Sequence, residues 1–246
     1  ELRPENRERL ETALRSGKIL IGPHYIQIDE RLTGGEAIFK NLELGITDME
    51  RYGQSNLIGY LPDTFGHISQ MPQILRKFNI DSAVFWRGYD NRDIVQMENR
   101  WQSPDGSEIT AICLVQGYSC ASGLGKVQPY HGSMKQQRER IDHTFPVVVE
   151  YSGGNSVLMM NGIDHSLPTT SLAEKLEKLA DQFPGFKFRH GSLREYLAEA
   201  RKTAENGALL IGGLSYAPRL DATLSSRPQQ KVLIRKGEKS LINYAE

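Results

Sequence analysis

Apolar residues recur along the chain at two spacings, and their alternation predicts successive strands and helices. After the breaker Gly17, the run Lys18-Ile19-Leu20-Ile21-Gly22 opens a mainly apolar strand that continues towards Gln27-Ile28-Asp29. After Gly34-Gly35, the residues Ile38, Leu42 and Ile46 recur at helical spacing, with Gly45 tolerated inside or near the end of that helix. Leu57 to Leu61 is a second short apolar run, Gln70 to Phe78 a helix, and Ser82-Ala83-Val84-Phe85-Trp86 a third strand. From Trp101 to Val115 the rhythm breaks, because Pro104-Asp105-Gly106 between two extended runs signals a hairpin.

Between Gly117 and Gly154 the pattern is poor, with a polar helix around Met134 to Ile141 and a breaker at Pro146. It returns with Val157-Leu158-Met159-Met160 as a strand and Leu172, Leu176, Leu179 and Phe183 as a helical stripe. Phe186-Lys187-Phe188 predicts a strand, Leu193, Leu197 and Ala200 another helix, and Ala208 to Ile211 the last strand. Ser171 with Glu174, and Ser192 with Glu195, have capping-box spacing. Pro228 to Glu246 reads as a final helix. Such succession implies a mostly parallel sheet covered by helices, either an open doubly wound sheet or a closed barrel. In both, sites lie beyond the carboxyl ends of the strands.

Composition narrows the class. The 246 residues are 39% hydrophobic and 24% charged, which excludes disorder and collagen. Thirty Lys+Arg balance thirty Asp+Glu, so no net field draws the chain to nucleic acid or an anionic membrane. No apolar run approaches the roughly 20 residues of a membrane span. Glu1-Leu2-Arg3-Pro4-Glu5 lacks the apolar core of a signal peptide. Cys113 and Cys120 are too few for a disulfide framework or a zinc cluster, and a soluble, cytoplasmic protein is the expectation.

The strand-end rule selects Asp29, Asp63, Arg87 and Asp164, although Asp in such loops also caps helices and stabilises turns. Tyr60-Leu61-Pro62-Asp63-Thr64-Phe65-Gly66-His67 is richer, placing a carboxylate, a rigid proline, a permissive glycine and an imidazole within one short loop. A cap at Asp63 or Thr64 explains part of it and leaves His67 and Phe65 unexplained.

Gly59 to His67, followed by Gln70-Met71-Pro72-Gln73-Ile74-Leu75, resembles the signature of glycoside hydrolase family 38 alpha-mannosidases, bacterial type. The likeness continues, in order, in Gly22-Pro23 with Asp29-Glu30, Gly35-Glu36 with Asn41-Leu42, Phe85-Trp86-Arg87-Gly88 and Pro104-Asp105-Gly106-Ser107. It ends in Met160-Asn161-Gly162 with Asp164-His165 and Thr223-Leu224-Ser225-Ser226-Arg227. The resemblance implies a seven-stranded (β/α) barrel-like catalytic domain, incomplete at its N-terminal strand, over residues 1–246. Residues 225–246 would be a final helix leading towards an absent helical domain.

The implied function is a retaining alpha-mannosidase acting on terminal alpha-linked mannose of oligosaccharides. Asp63 would be the nucleophile and a zinc ligand, Asp164 the general acid/base, and Arg87 and Tyr118 substrate contacts; His165, beside Asp164, is a further candidate substrate contact that either orients that carboxyl or points to solvent. Retaining hydrolysis needs one ionised carboxylate to attack and a protonated one to assist departure, about 5 to 5.5 Å apart. The expectation is therefore positive charge around Asp63 and a less polar setting for Asp164.

Zinc normally takes four ligands. The family's His-x-Asp and His-Asp motifs are absent, and the other histidines, His24, His131, His143 and His190, lack that context. An internal piece of a larger enzyme, with little activity alone, is the expectation. His24 is expected as a partly buried strand residue, His67 as a brace for the Asp63 loop, and Asp29-Glu30 as support of its scaffold. Trp86 and Trp101 are expected in the core. Metal-dependent carbohydrate deacetylation and an inert sugar-binding fragment are the alternatives; oligomeric state is open.

Overall fold

The computed structural model describes residues 3–122, 134–165, 172–216 and 226–244. His131, Ser171 and Thr223-Leu224-Ser225 lie outside the described residues. The first element, α1 (Arg7–Arg15), was not signalled by the apolar pattern, since Leu14 is the only one of its residues that is buried. In α2 (Gly35–Arg51) Ile38 and Leu42 are buried at helical spacing, as predicted, whereas Ile46 is only partly buried and Met49 completes the buried stripe.

The segment before α2 is the first departure. Residues 18–29 form no strand. Two side-chain amides replace the neighbouring strand that such a segment would need. Gln54 accepts from Ile21 N–H and donates to the carbonyls of Leu14 and Ile19, while Asn41 accepts from Ile26 N–H and donates to Ile26 O. Once these backbone groups are satisfied, nothing requires a ladder. Gly45 lets this segment lie against α2, because a Cβ there would stand 2.2 Å from Pro23 O and 2.5 Å from Tyr25 N.

Five strands form one sheet among the described residues, in the order β1-β2-β4-β3-β5. They are β1 (Gly59–Leu61), β2 (Ser82–Phe85), β3 (Glu98–Gln102), β4 (Glu108–Cys113) and β5 (Leu209–Ile211). β1 and β2 are parallel, with Tyr60 opposite Val84, and α3 (Met71–Lys77) connects them. Gly59 allows this packing, since a Cβ would meet Leu75 Cδ1 at 2.9 Å and Ser82 O at 3.0 Å. The predicted hairpin is present between β3 and β4. Gly106 takes φ +87°, and Asp105 accepts from Ser107 N–H at 3.0 Å, a bond that holds its carboxyl below the usual range.

The remaining helices are α4 (Met134–Glu150), α5 (Leu172–Gln182), α6 (Leu193–Ala204) and α7 (Pro228–Tyr244). The Ser192–Glu195 capping box starts α6 as its spacing predicts. Pro146 does not break α4 but lies inside it. Phe145 beside it packs on Phe183, Phe186 and Phe188 with ring centroids at 4.4, 5.0 and 5.4 Å, and tertiary packing of this kind outweighs one lost helical hydrogen bond.

The same rings account for the missing strand at 186–188. The chain leaves α5 through Gly185 at φ +97°, Phe186 N–H bonds to Phe183 O, and the phenyl rings rather than a ladder fix the segment. Residues 157–160 are likewise not a strand: Met160 N–H donates to Cys120 Sγ, and Met160 O accepts from Ala121 N–H. The described residues thus make a mixed α/β fold of five strands and seven helices; a seven-stranded closed barrel is not among them.

By its internal contacts the chain divides into two units, residues 1–90, 101–110 and 209–246, and residues 91–100 and 111–208. Buried Leu42, Leu61, Leu75, Phe85 and Trp101 belong to the first, and Ile112, Phe145, Val148 and Leu197 to the second. Among the described residues no helix is long and apolar enough to cross a membrane.

Candidate active site

Asp63 follows the end of β1 and Arg87 the end of β2, the positions that the strand-end rule selects. Both loops are anchored by the segment after β5. His67 N–H donates to Leu214 O at 2.7 Å and Leu214 N–H to His67 O at 3.0 Å; Gly88 and Tyr216 exchange the corresponding pair at 2.8 and 3.1 Å. Gly88 has to be glycine. Its φ is +104°, and a Cβ would stand 2.8 Å from His67 Cδ2 and 2.9 Å from Leu214 Cβ.

On this anchored pair of loops, Arg87 Nε–H donates to Asp63 Oδ1 at 2.5 Å. The Arg87 guanidinium carbon lies 4.3 Å from the Phe65 ring centroid and 4.1 Å from that of Trp86. Cation–π attraction to two rings limits where the guanidinium can go, and the ion pair uses the one direction left to Nε–H. Phe65, unexplained by capping, acquires a reason here. Trp86 is a correction: it is half-buried and flanks Arg87, whereas Trp101 is fully buried and donates its indole N–H to Gly212 O, as a core residue.

Arg87 is 16% exposed and Asp63 39%, so the carboxylate is held from within and open outward. It opens onto a cleft of about 210 Å³ lined by Gln27, Ile28, Asp29, Pro62, Asp63, Thr64 and Phe65. Ligand clefts usually start near 300 Å³, so this one suits a small part of a ligand.

Beneath the loop lies a buried pair. The side chains of Glu30 and His67 are wholly buried, with Nδ1 2.7 Å from Glu30 Oε1. Ile68 N–H donates to Glu30 Oε2 at 2.9 Å, and His67 Nε2 lies 3.1 Å from Arg87 O. Phe85 and Trp101 close on the imidazole at 4.9 and 5.6 Å. His67 therefore braces the Asp63 loop and Glu30 supports its scaffold. His24 contrasts with it. Among the described residues its buried ring nitrogens have no hydrogen-bond partner, and desolvation lowers its pKa to about 4.

Asp164, Tyr118 and His165 belong to the second unit. Tyr118 O–H donates to Asp164 Oδ1 at 3.0 Å, and Tyr118 O accepts from Gly162 N–H at 3.0 Å, which ties residue 118 to the turn bearing Asp164. Asp164 is exposed rather than in the less polar setting expected of it. His165 is also exposed, at φ +54° in the left-handed region. The described residues bring Asp63 together with Arg87, and Asp164 together with Tyr118. The segment 214–216, which anchors both loops of the first unit, carried no signal beyond an apolar strand just before it.

The zinc implied by the resemblance has no matching ligand set. Among the described residues no group of three or more His, Cys, Asp or Glu side chains could hold a metal ion, and Asp63 Oδ1 faces Arg87 instead. The described residues by themselves do not fit a zinc centre.

Residues 1–219 match the model of the glycosyl hydrolases family 38 N-terminal domain. The chain belongs to family 38. This family 38 chain is 31% identical over 217 residues to a provisionally named mannosylglycerate hydrolase of Halalkalibacterium halodurans, a match covering 82% of the chain and 23% of that protein. It is 25% identical to an alpha-mannosidase of Saccharomyces cerevisiae, covering 65% of the chain and 14% of that protein. Among solved structures, an alpha-mannosidase from Enterococcus faecalis superposes with a TM-score of 0.75 at 28% identity, over 87% of this chain and 24% of that one. The chain thus spans about a quarter, or less, of the length of these relatives.

Proposed function

We propose that this chain supplies catalytic residues of a retaining alpha-mannosidase, with Asp63 as nucleophile and Asp164 as general acid/base. The observation that carries the reading is the Arg87–Asp63 contact at the mouth of a small cleft, on the motif that resembles the family signature. A guanidinium on one carboxylate oxygen holds the side chain in place and leaves the other oxygen for attack.

Asp63 attacks the anomeric carbon while the bond to the leaving oxygen breaks, and that oxygen takes the proton of Asp164. Asp164, now ionised, removes a proton from water, which attacks the same carbon and returns Asp63 as carboxylate. Tyr118 O–H orients Asp164, and Arg87 steadies Asp63 in both halves. His165 is a substrate contact from the exposed turn beside Asp164. No step is assigned to zinc.

The substrate class is alpha-linked mannose, on oligosaccharides or on compact acceptors of the kind named for the Halalkalibacterium relative. The test is to trap a catalytically competent enzyme carrying this chain with a fluorinated mannosyl donor and map the labelled peptide. Asp63 should carry the sugar; label on another carboxylate overturns the assignment. Competing mannosyl-oligosaccharide against mannosylglycerate then ranks the acceptors.

A further inference from the structure

Nε2 of His67 faces a carbonyl, which can only accept, so Nε2 must bear a proton. On the opposite side, Nδ1 faces a carboxyl oxygen of Glu30, whose other oxygen is already bonded to Ile68 N–H. Two proton inventories satisfy these contacts. Either the imidazole carries both N–H groups beside a carboxylate, or a protonated Glu30 donates to a bare Nδ1. In both, the pair has no net charge and Nε2–H points at Arg87 O. Glu30 thus fixes the tautomer that the Arg87 backbone requires.

We infer that Glu30 and His67 are positioning residues that set Arg87 on Asp63: Glu30 orients the imidazole, and the imidazole holds the Arg87 carbonyl where its guanidinium meets Asp63. The geometry is continuous. Glu30 Oε1 to Nδ1 spans 2.7 Å, Nε2 to Arg87 O 3.1 Å, and Arg87 Nε to Asp63 Oδ1 2.5 Å. Each side chain in the path is locked. The imidazole lies against Phe85 and Trp101, and the guanidinium against Phe65 and Trp86. Because Gly88 takes φ +104° against the imidazole edge, a displaced ring acts directly on the residue that follows Arg87.

The catalytic meaning of the inference rests on Asp63 being the reacting carboxylate, but its geometry can be tested without turnover. The readouts are solvent exchange at Arg87 Nε–H and the protonation of His67 Nε2, both by nitrogen-15 NMR on the full chain, with Asp63→Asn assigning the paired Arg87 signal. Two variants divide the imidazole. His67→Gln keeps a donor near Nε2 and gives up the Glu30 contact, whereas His67→Asn keeps a donor near Nδ1 and gives up the Arg87 carbonyl.

In the unmodified chain Nε2 should be protonated and Arg87 Nε–H slow to exchange. His67→Asn should speed that exchange about tenfold, the loss expected of one hydrogen bond, and His67→Gln should largely restore it. A bare Nε2, an unchanged exchange rate in a folded His67→Asn, or equal acceleration in both variants overturns the inference. Loss of near-ultraviolet circular dichroism in both variants would assign the pair to stability alone and overturn it as well. Sugar trapped on a carboxylate other than Asp63 would defeat the catalytic reading while leaving the exchange result intact, so the two failures are distinguishable.

Discussion

Asp63 and Asp164 are the same chemical group after apolar segments of two different units, and they are held by different means. Asp63 meets a guanidinium that two aromatic rings confine, on loops bonded twice to the chain after β5 and braced by a buried Glu30–His67 pair. Asp164 sits on an exposed turn and receives a phenolic O–H. A carboxylate that attacks carbon must arrive at one point along one line, so reorganisation costs it rate directly. A carboxyl that gives and takes back a proton tolerates a looser hold, provided that its hydrogen-bond partner keeps it within reach.

The largest expected effect that would break this contrast is at Asp63 itself. Asp63→Asn should lower kcat/KM for an aryl alpha-mannoside by about 10^4-fold or more in a competent enzyme carrying the chain, as loss of a nucleophile does. Retained turnover would remove the contrast altogether.

Buried groups elsewhere in the two units come next. His24, in the first unit, has its pKa lowered from 6.5 to about 4 by burial, so it is neutral in the folded chain and the unfolded chain binds the extra proton between those values. Stability from this group is complete above pH 6.5 and is lost as pH falls towards 4, by about 3 kcal/mol in all. Urea melts across that range should show the loss, and His24→Phe should flatten it.

In the second unit, buried Glu98 accepts from Tyr196 O–H and, at 2.9 Å, from Gly153 N–H. Burial first, and then the Glu98 carboxylate, push the Tyr196 hydroxyl well above its usual range, so it remains a donor. Tyr196→Phe leaves one Glu98 oxygen without its donor and should cost about 1–3 kcal/mol in a urea melt.

The smallest effect should come from Tyr118→Phe. The hydroxyl it removes serves an exposed carboxylate, so stability should fall by only about 0.5 to 1 kcal/mol. Turnover of an aryl alpha-mannoside by a competent enzyme carrying the chain should fall less than tenfold. A Tyr118→Phe effect as large as that of Asp63→Asn would show Asp164 to be as tightly determined as Asp63.

What could be read from the residues alone was mostly local. The turn at Pro104-Asp105-Gly106 and the cap at Ser192 with Glu195 state their geometry within a few positions, and the structure shows both. The apolar runs at 18–29, 157–160 and 186–188 indicate an extended, sheltered segment without naming its neighbour. In the structure the neighbours are the amides of Gln54 and Asn41, the thiol of Cys120 and the rings around Phe145. Trp86 was misread for a related reason. An indole after an apolar strand fits a core equally well, and only the direction of the next side chain places it over a cation. For the site, the strand-end rule and the family resemblance indicated Asp63, Arg87 and a structural part for Glu30 and His67, but not the strap at 214–216 that anchors both loops.

Gly45 gives the fold an unexpected point of leverage. The backbone of Pro23 to Tyr25 occupies the volume in which any larger residue would place its first carbon, so even an alanine in α2 must push that stretch of chain outward. Five residues past Tyr25 comes Glu30, the partner of the imidazole under the Asp63 loop. A methyl group added on α2 would thus be felt, through the chain that leads to Glu30, at the loop bearing Asp63.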